Sequence, residues 1–168
     1  MKALAKSYIN NNLRGIETLY TRSKNPRNSL FYSKLAILEL CGWIEMSMDA
    51  IVRCCATRNL KFASNRALVE FRVGKTYGFD YQQHFRELII RVIGLRSLEK
   101  VEKSVDAAQF AKLTAALGAL KARRDSQAHT YIIGTTLVLD APSVTRTRFE
   151  DVYNGLDNFD KTMKNLGF

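Results

Sequence analysis

The sequence predicts an all-α protein, an up-and-down helical bundle of about five to six helices. Over most of its 168 residues, apolar side chains recur at alternating steps of three and four, the spacing of one helical face. The two prolines, Pro26 and Pro142, lie where that periodicity breaks. No internal repeat or low-complexity tract divides the chain, so we expect one domain over residues 1–168.

The composition is that of a folded domain with a strong positive charge. Hydrophobic residues make up 46% and charged residues 25% of the chain, which argues against disorder. Lys and Arg number 26 against 16 acidic residues, so the net charge is +10. This excess favours polyanionic partners, namely nucleic acid, an anionic membrane surface or an acidic protein, although surface charge also serves solubility alone.

The features that bear on the cellular compartment indicate the cytoplasm. No run of about 18 apolar residues is present, so no membrane span is expected. The N-terminus lacks the apolar core of a secretory signal. The three cysteines are an odd number without zinc-like spacing, and all lie in one predicted helix. We therefore expect reduced thiols and a cytoplasmic protein.

Three helices are predicted in the first half of the chain. The first covers residues 3–23, where isoleucine and leucine recur at helical spacing. The longest pattern covers residues 30–58 and carries two overlapping apolar stripes, so we expect this helix at the centre of the bundle. A shorter helix over residues 60–73 is closed by Gly74.

The middle of the chain predicts two further helices and a polar connection. Asp80 is expected to cap a helix over residues 81–93. Residues 94–103 are polar and ambiguous in pattern, and we expect a connection that contains a helical turn. Ser104 is then expected to cap the following helix, with Asp106 in its first turn.

The last third of the chain predicts a loop and a final helix. Residues 132–145 contain glycine, threonines and a proline, which predict a loop or a short irregular hairpin. Residues 147–166 carry inward-facing apolar residues at helical spacing and predict the last helix.

Two charged residues lie at inward positions of predicted helices. Arg124 continues the apolar stripe of its helix, and Glu45 lies between Cys41 and Met48 on the longest helix. A buried carboxylate is tolerable when it is paired. The sequence therefore predicts either an ion pair between Glu45 and Arg124 or a direct catalytic role for Glu45.

The segment from Arg124 to His129 combines a guanidinium with one of only two histidines. A guanidinium holds phosphate oxygens in its planar fork, and an imidazole moves protons near neutral pH. On a continuous helix Asp125 would contact His129 and orient its ring. Arg124 and His129 would diverge by about 140°, so either the helix unwinds near Ala128 or a second subunit completes the site. The alternative for His129 is a solvated position at a helix end.

Further cations flank this segment and are expected to bind phosphates: Lys121, Arg123, Arg146 and Arg148. The other histidine, His84, lies on a different predicted helix and is expected to have a surface or packing role. The two histidines are distant, and neither clustered carboxylates nor a Gly-rich phosphate loop is present. We therefore expect no metal and no cofactor.

The pattern R-x4-H formed by Arg124, Asp125 and His129, followed by a loop and a final helix, resembles the motif of the HEPN superfamily. The tract Cys-Gly-Trp43-Ile-Glu45 of the longest helix resembles a tract in small stand-alone prokaryotic HEPN proteins. The resemblance covers roughly residues 5–166. The chain has Asp rather than Asn after the arginine and no Gly after the histidine, which departs from better-known patterns.

The resemblance implies a homodimeric, metal-independent endoribonuclease of toxin or phage-defence type. The 2′-hydroxyl of RNA would attack the neighbouring phosphate and leave a 2′,3′-cyclic phosphate. By position, His129 would be general base or acid, Arg124 would stabilise the charged transition state, and Asp125 would orient or polarise. The alternatives are a non-catalytic module that binds RNA or a partner protein, and a scaffold without a role on nucleic acid.

Tyr131 extends the motif to R-x4-H-x-Y. In HEPN toxins paired with a small nucleotidyltransferase antitoxin, a tyrosine so placed is the site of inactivating nucleotidylation. The resemblance thus implies an antitoxin partner and a modification site at Tyr131. The residue type alone favours a packing role, because tyrosine commonly buries its ring.

Overall fold

Helices account for all the regular secondary structure in the computed structural model, which describes residues 4–128, 131–135 and 137–168. No strand occurs in these ranges, so the all-α prediction is confirmed. The described residues form seven α-helices, more than the five to six expected: α1 (Lys6–Arg22), α2 (Pro26–Asn59), α3 (Ala63–Val73), α4 (Arg86–Ile93), α5 (Leu95–Ser104), α6 (Ala107–Ala128) and α7 (Pro142–Asn165). A π-helical turn over Tyr81–Phe85 leads directly into α4.

The long helix α2 is the centre of the fold, as its wide apolar arc predicts. Its 34 residues contact α1, α3, α4, α6 and α7. The predicted inner stripe is buried throughout, from Ile37 to Cys55. The second stripe is only partly buried, because Leu35 and Leu38 remain 43% and 36% exposed. Within the described ranges, no helix has both the length and the apolarity needed to cross a bilayer.

Aromatic side chains lock α1 and α7 against α2. The indole Nε1 of Trp43 donates to the carbonyl oxygen of Ala5 at 2.9 Å, which ties the start of α1 to α2. The same ring meets the edge of Phe149 of α7 at a centroid distance of 5.2 Å. Edge-to-face pairs of this kind stabilise a core beyond their buried area. Trp43 of α2 therefore contacts both α1 and α7.

Helix α5 occupies the segment 94–103, where the sequence predicted a connection with a helical turn. Gly94, at φ +79°, breaks the chain direction after α4, and α5 begins at the next residue. Two apolar residues, Leu98 and Val101, are fully buried. The Glu102 carboxylate also accepts from Tyr81 Oη and Arg86 Nε, both at 2.8 Å, so polar and apolar contacts together hold this helix on the bundle. The sequence prediction failed because so short an apolar face gives little periodic signal.

Several helix starts also differ from the prediction. The central helix α2 begins at Pro26 rather than residue 30. Ser104 ends α5, and the Asp106 carboxylate caps α6 by accepting from the backbone N–H of Gln109 at 2.8 Å. The last helix begins at Pro142 rather than residue 147. Proline favours the first helical position because it has no N–H to leave unsatisfied there, so Pro142 starts this helix rather than interrupting a loop.

His84 has a packing role, in agreement with the expectation. Its Nδ1 accepts from the backbone N–H of Asp80 at 3.1 Å. Its ring covers Gly78, where a Cβ would lie 2.8 Å from the ring. Gly78 adopts φ +114°, which other residues rarely adopt. His84 therefore holds the loop before α4 in place.

Gly155 marks a close approach of α7 to α6. A Cβ at this position would lie 2.5 Å from the Cβ of Leu113. We expect Gly155→Ala to lower the free energy of unfolding by about 1–3 kcal/mol, because overpacking outweighs the better helix propensity of alanine. Denaturant unfolding at 25 °C measures the change.

The matched control is Gly118→Ala on the exposed side of α6. A Cβ there meets no atom within 4 Å. This variant should raise the free energy of unfolding by about 0.5–1 kcal/mol. A neutral or stabilising Gly155→Ala would show that α6 and α7 do not pack this closely.

The predicted cap at Asp80 is confirmed and carries a pH signature. Its carboxylate accepts from the backbone N–H of Gln83 at 2.8 Å, and this bond lowers the pKa of Asp80, with Lys121 adding to the effect. Because the folded pKa is depressed, the stabilisation is full above the unfolded-state pKa of about 3.9 and is lost as pH falls through the folded value.

Asp80→Asn therefore provides a cap that does not titrate. We expect it to retain stability at pH 7 and to show a weaker loss of stability than wild type as pH falls below about 4. Asp80→Ala should lose about 1 kcal/mol at pH 7. Urea midpoints measured from pH 2.5 to pH 7 provide the test, and identical acid profiles for wild type and Asp80→Asn would contradict it.

Candidate functional site

The contact between α2 and α6 brings Glu45 and Arg124 together. Arg124 Nη1 donates to Glu45 Oε1 at 3.0 Å, so the predicted ion pair is confirmed. The two side chains are 36% and 30% exposed, Glu45 first. The pair thus lies at the rim of the apolar core, where water and a solute can reach it.

Two further groups hold the guanidinium of Arg124. Its Nε donates to Asp125 Oδ1 at 3.0 Å, and its Cζ lies 5.3 Å from the ring centroid of Phe79. Phe79 is fully buried in the loop before α4, so its ring is a fixed platform for the cation. The two hydrogen bonds occupy two of the five N–H donors of the guanidinium. The remaining donors can serve an oxyanion.

Asp125 therefore has a partner that the sequence did not predict. The expected contact was with His129, and His129 lies outside the described residues together with Thr130. The Asp125 carboxylate and the Glu45 carboxylate both contact one guanidinium, so this three-residue group carries a net charge of about −1. The two acids fix the guanidinium and reduce its field.

Cys41 lies one turn before Glu45 on α2 and is 2% exposed. Burial raises the pKa of its thiol to about 12, with Arg124 opposing the rise and the Glu45 carboxylate adding to it. A thiol with this pKa is protonated at neutral pH and is a poor nucleophile. Cys41 therefore supports the site by packing.

The four flanking cations all have acidic partners within the fold. Arg123 Nη1 and Arg148 Nη1 lie 2.9 Å and 2.7 Å from the same oxygen, Asp140 Oδ2. Arg146 pairs with Glu17, and Lys121 Nζ lies 3.5 Å from Asp80 Oδ2. A phosphate would have to compete with these carboxylates, so each cation offers less binding energy than its charge implies.

Asp140 is the acid that sequence reasoning missed in this region. It lies two residues before α7, and its carboxylate joins Arg123 of α6 to Arg148 of α7. A cavity of about 470 Å³ adjoins the two arginines and is also lined by Gln127 and Leu139. The sequence does show an acidic residue two positions before Pro142, where α7 begins. It gives no sign that this residue pairs with Arg123 of α6, because a contact between distant residues leaves no periodic pattern.

Tyr131 does not pack. Its side chain is 80% exposed, which contradicts the packing role that the residue type alone favours. Its neighbour Ile132 is buried instead and anchors this segment. The side chain of Tyr131 is accordingly accessible to solvent.

Within the ranges that the structure describes, no group of three or more His, Cys, Asp or Glu residues is arranged to hold a metal ion. Comparison of the chain with protein-family models, with curated proteins and with solved structures finds no match. Function must therefore be argued from the site itself.

A double-mutant cycle tests whether the Glu45–Arg124 pair contributes to stability. We expect Glu45→Gln and Arg124→Gln to couple by about 1 kcal/mol, since the bond is charged on both sides and partly shielded from water. Denaturant unfolding of wild type, both single variants and the double variant measures the coupling.

The matched control is the pair between Lys6 and Glu150, whose side chains are 40% and 48% exposed. Its coupling should be smaller, because solvent screens it more strongly. A coupling near zero for Glu45 and Arg124 would show that the carboxylate does not hold the guanidinium in solution.

Proposed function

We propose that this protein is a metal-independent endoribonuclease of HEPN type, acting as a toxin or a phage-defence effector. The observation that carries the proposal is the Arg124 guanidinium, held by Glu45, Asp125 and Phe79 at the rim of the core. A cation fixed in this way needs no reorganisation when negative charge develops beside it. The motif resemblance supplies His129 as the proton-transfer group.

The proposed reaction is a transesterification within the RNA. An imidazole takes the proton of the 2′-hydroxyl while the 2′-oxygen forms a bond to phosphorus. The P–O5′ bond breaks, and the leaving O5′ takes a proton from an imidazolium. The products are a 2′,3′-cyclic phosphate and a 5′-hydroxyl, and Arg124 balances the charge on the non-bridging oxygens.

We propose a homodimer as the active form. If α6 continued without a break to residue 129, Arg124 and His129 would point about 140° apart, and one copy would not aim both at one phosphate. A two-fold axis beside the end of α6 would bring two guanidiniums and two imidazoles to one cleft. Tyr131, exposed and two residues after His129, is the proposed target of an antitoxin that inactivates by nucleotidylation.

A non-catalytic RNA-binding module is the second candidate. The absence of catalysis is favoured by the carboxylates that pair with Arg124 and the four flanking cations, because such pairs give these residues a structural role. Binding of RNA is favoured by the net charge of +10. Such a module would retain RNA through its net charge and would produce no cleavage products.

Cleavage of a labelled RNA in the presence of EDTA tests the nuclease. We expect wild type to cut, and Arg124→Ala and His129→Ala each to lose at least about 100-fold in rate, since each removes one transition-state interaction. Analysis of product ends should show 2′,3′-cyclic phosphates. Sedimentation should show that both variants remain dimers.

The control variant is Arg91→Ala, which removes an exposed cation on α4. It should cut RNA at the wild-type rate. Equal cutting by wild type, Arg124→Ala and His129→Ala would overturn the assignment. Retention of RNA in a gel shift without any product would favour the non-catalytic module.

A further inference from the structure

A groove between α1 and α7 is lined by three arginines and has a volume of about 510 Å³. Its walls are formed by Arg14, Glu17, Thr18, Thr21, Arg22 and Arg146. None of the side chains in its walls is a large apolar group. An acidic protein partner would need apolar anchors to bury, and this surface offers none. The chemistry of the groove therefore favours small, strongly hydrated anions such as phosphate groups.

The charge of this groove is less compensated than that of the Arg124 region. Glu17 is its one carboxylate, and Arg146 of α7 already pairs with it. Arg14 and Arg22 are exposed and form no ion pair with any carboxylate of the described residues. Two guanidiniums are thus available to an incoming anion. The wall has three positive charges against one negative charge.

The two threonines of the wall leave the groove open. The Thr18 and Thr21 hydroxyls donate to the carbonyl oxygens of Arg14 and Glu17 at 2.9 Å and 2.8 Å. They are thereby held close to α1.

We propose that this groove binds consecutive backbone phosphates of the single-stranded RNA whose cleavage is proposed at Arg124. The inference rests on the proposed function. Arg14 and Arg22 are eight residues apart on α1, about 12 Å along its axis, so they reach more than one phosphate. Two ion pairs connect the groove to the helix that carries Arg124: Arg146 with Glu17 joins α7 to α1, and Arg123 of α6 pairs with Asp140, two residues before α7.

The test is binding of a 2′-O-methyl RNA, which has no free 2′-hydroxyl and cannot be cut. Fluorescence anisotropy at several salt concentrations gives the slope of log affinity against log salt. Each phosphate contact on a single strand contributes about 0.7 to this slope. We expect Arg14→Gln/Arg22→Gln to reduce the slope by about 1.4 and to weaken binding about tenfold at low salt.

The charge-matched control is Arg96→Gln/Lys100→Gln, which removes two exposed cations from α5. It should leave the slope close to that of wild type. Unchanged binding by Arg14→Gln/Arg22→Gln would overturn the proposal, and so would an equal loss in both double variants, since net charge alone would then explain the effect. Thermal melting checks that all variants are folded.

Competition with inorganic phosphate distinguishes a groove that binds RNA backbone phosphates from one that binds free phosphate. If Arg14 and Arg22 govern binding of inorganic phosphate but not of the RNA, the groove is a site for free anions and the proposal is wrong. The test is also independent of catalysis. If wild type cuts no RNA but its salt slope depends on Arg14 and Arg22, the nuclease proposal is wrong and the binding proposal holds. If wild type cuts RNA and the slope is unchanged in Arg14→Gln/Arg22→Gln, the binding proposal is wrong and the nuclease proposal holds.

Discussion

The ion pair between Arg124 and Glu45 is the constraint on which the candidate site depends. Each residue alone would place a charge on the inward stripe of a core helix, where desolvation is costly. Together they let α2 and α6 approach with both charges intact at the rim of the core. The Phe79 ring and the Asp125 carboxylate then restrict a long side chain to one orientation. The geometry of the site is therefore a consequence of how the central helix packs.

The sequence predicted the elements with strong periodicity and missed those held by few contacts. The central helix α2 and the last helix α7 bury long apolar stripes, and both were recognised. The short helix α5 buries only Leu98 and Val101, too few to establish a period. Pro142 is compatible with a helix start as well as with a loop, and only the burial of Thr145 and Phe149 decides between them.

The candidate site was predictable only where a charged residue interrupts the apolar stripe of its helix. Two charges at inward positions, Glu45 and Arg124, predicted either an ion pair or a catalytic role for Glu45, and the structure contains the ion pair. The acidic partners of the flanking cations could not be recognised in this way. Arg146 meets Glu17 from 129 residues away, and Arg123 meets Asp140 across a loop. Pairs of this kind depend on helix packing, which periodicity does not reveal.

The carboxylates around Arg124 suit the proposed chemistry better than they suit tight binding of RNA. A guanidinium already compensated by Glu45 and Asp125 gains little from a phosphodiester with one negative charge. It gains more when attack by the 2′-oxygen concentrates charge on the non-bridging oxygens. Only such differential stabilisation raises a rate constant, whereas equal binding of substrate and transition state does not. Affinity for the strand must then come from elsewhere. Arg14 and Arg22, which pair with no carboxylate in the part of the chain that the structure describes, are suited to supply it.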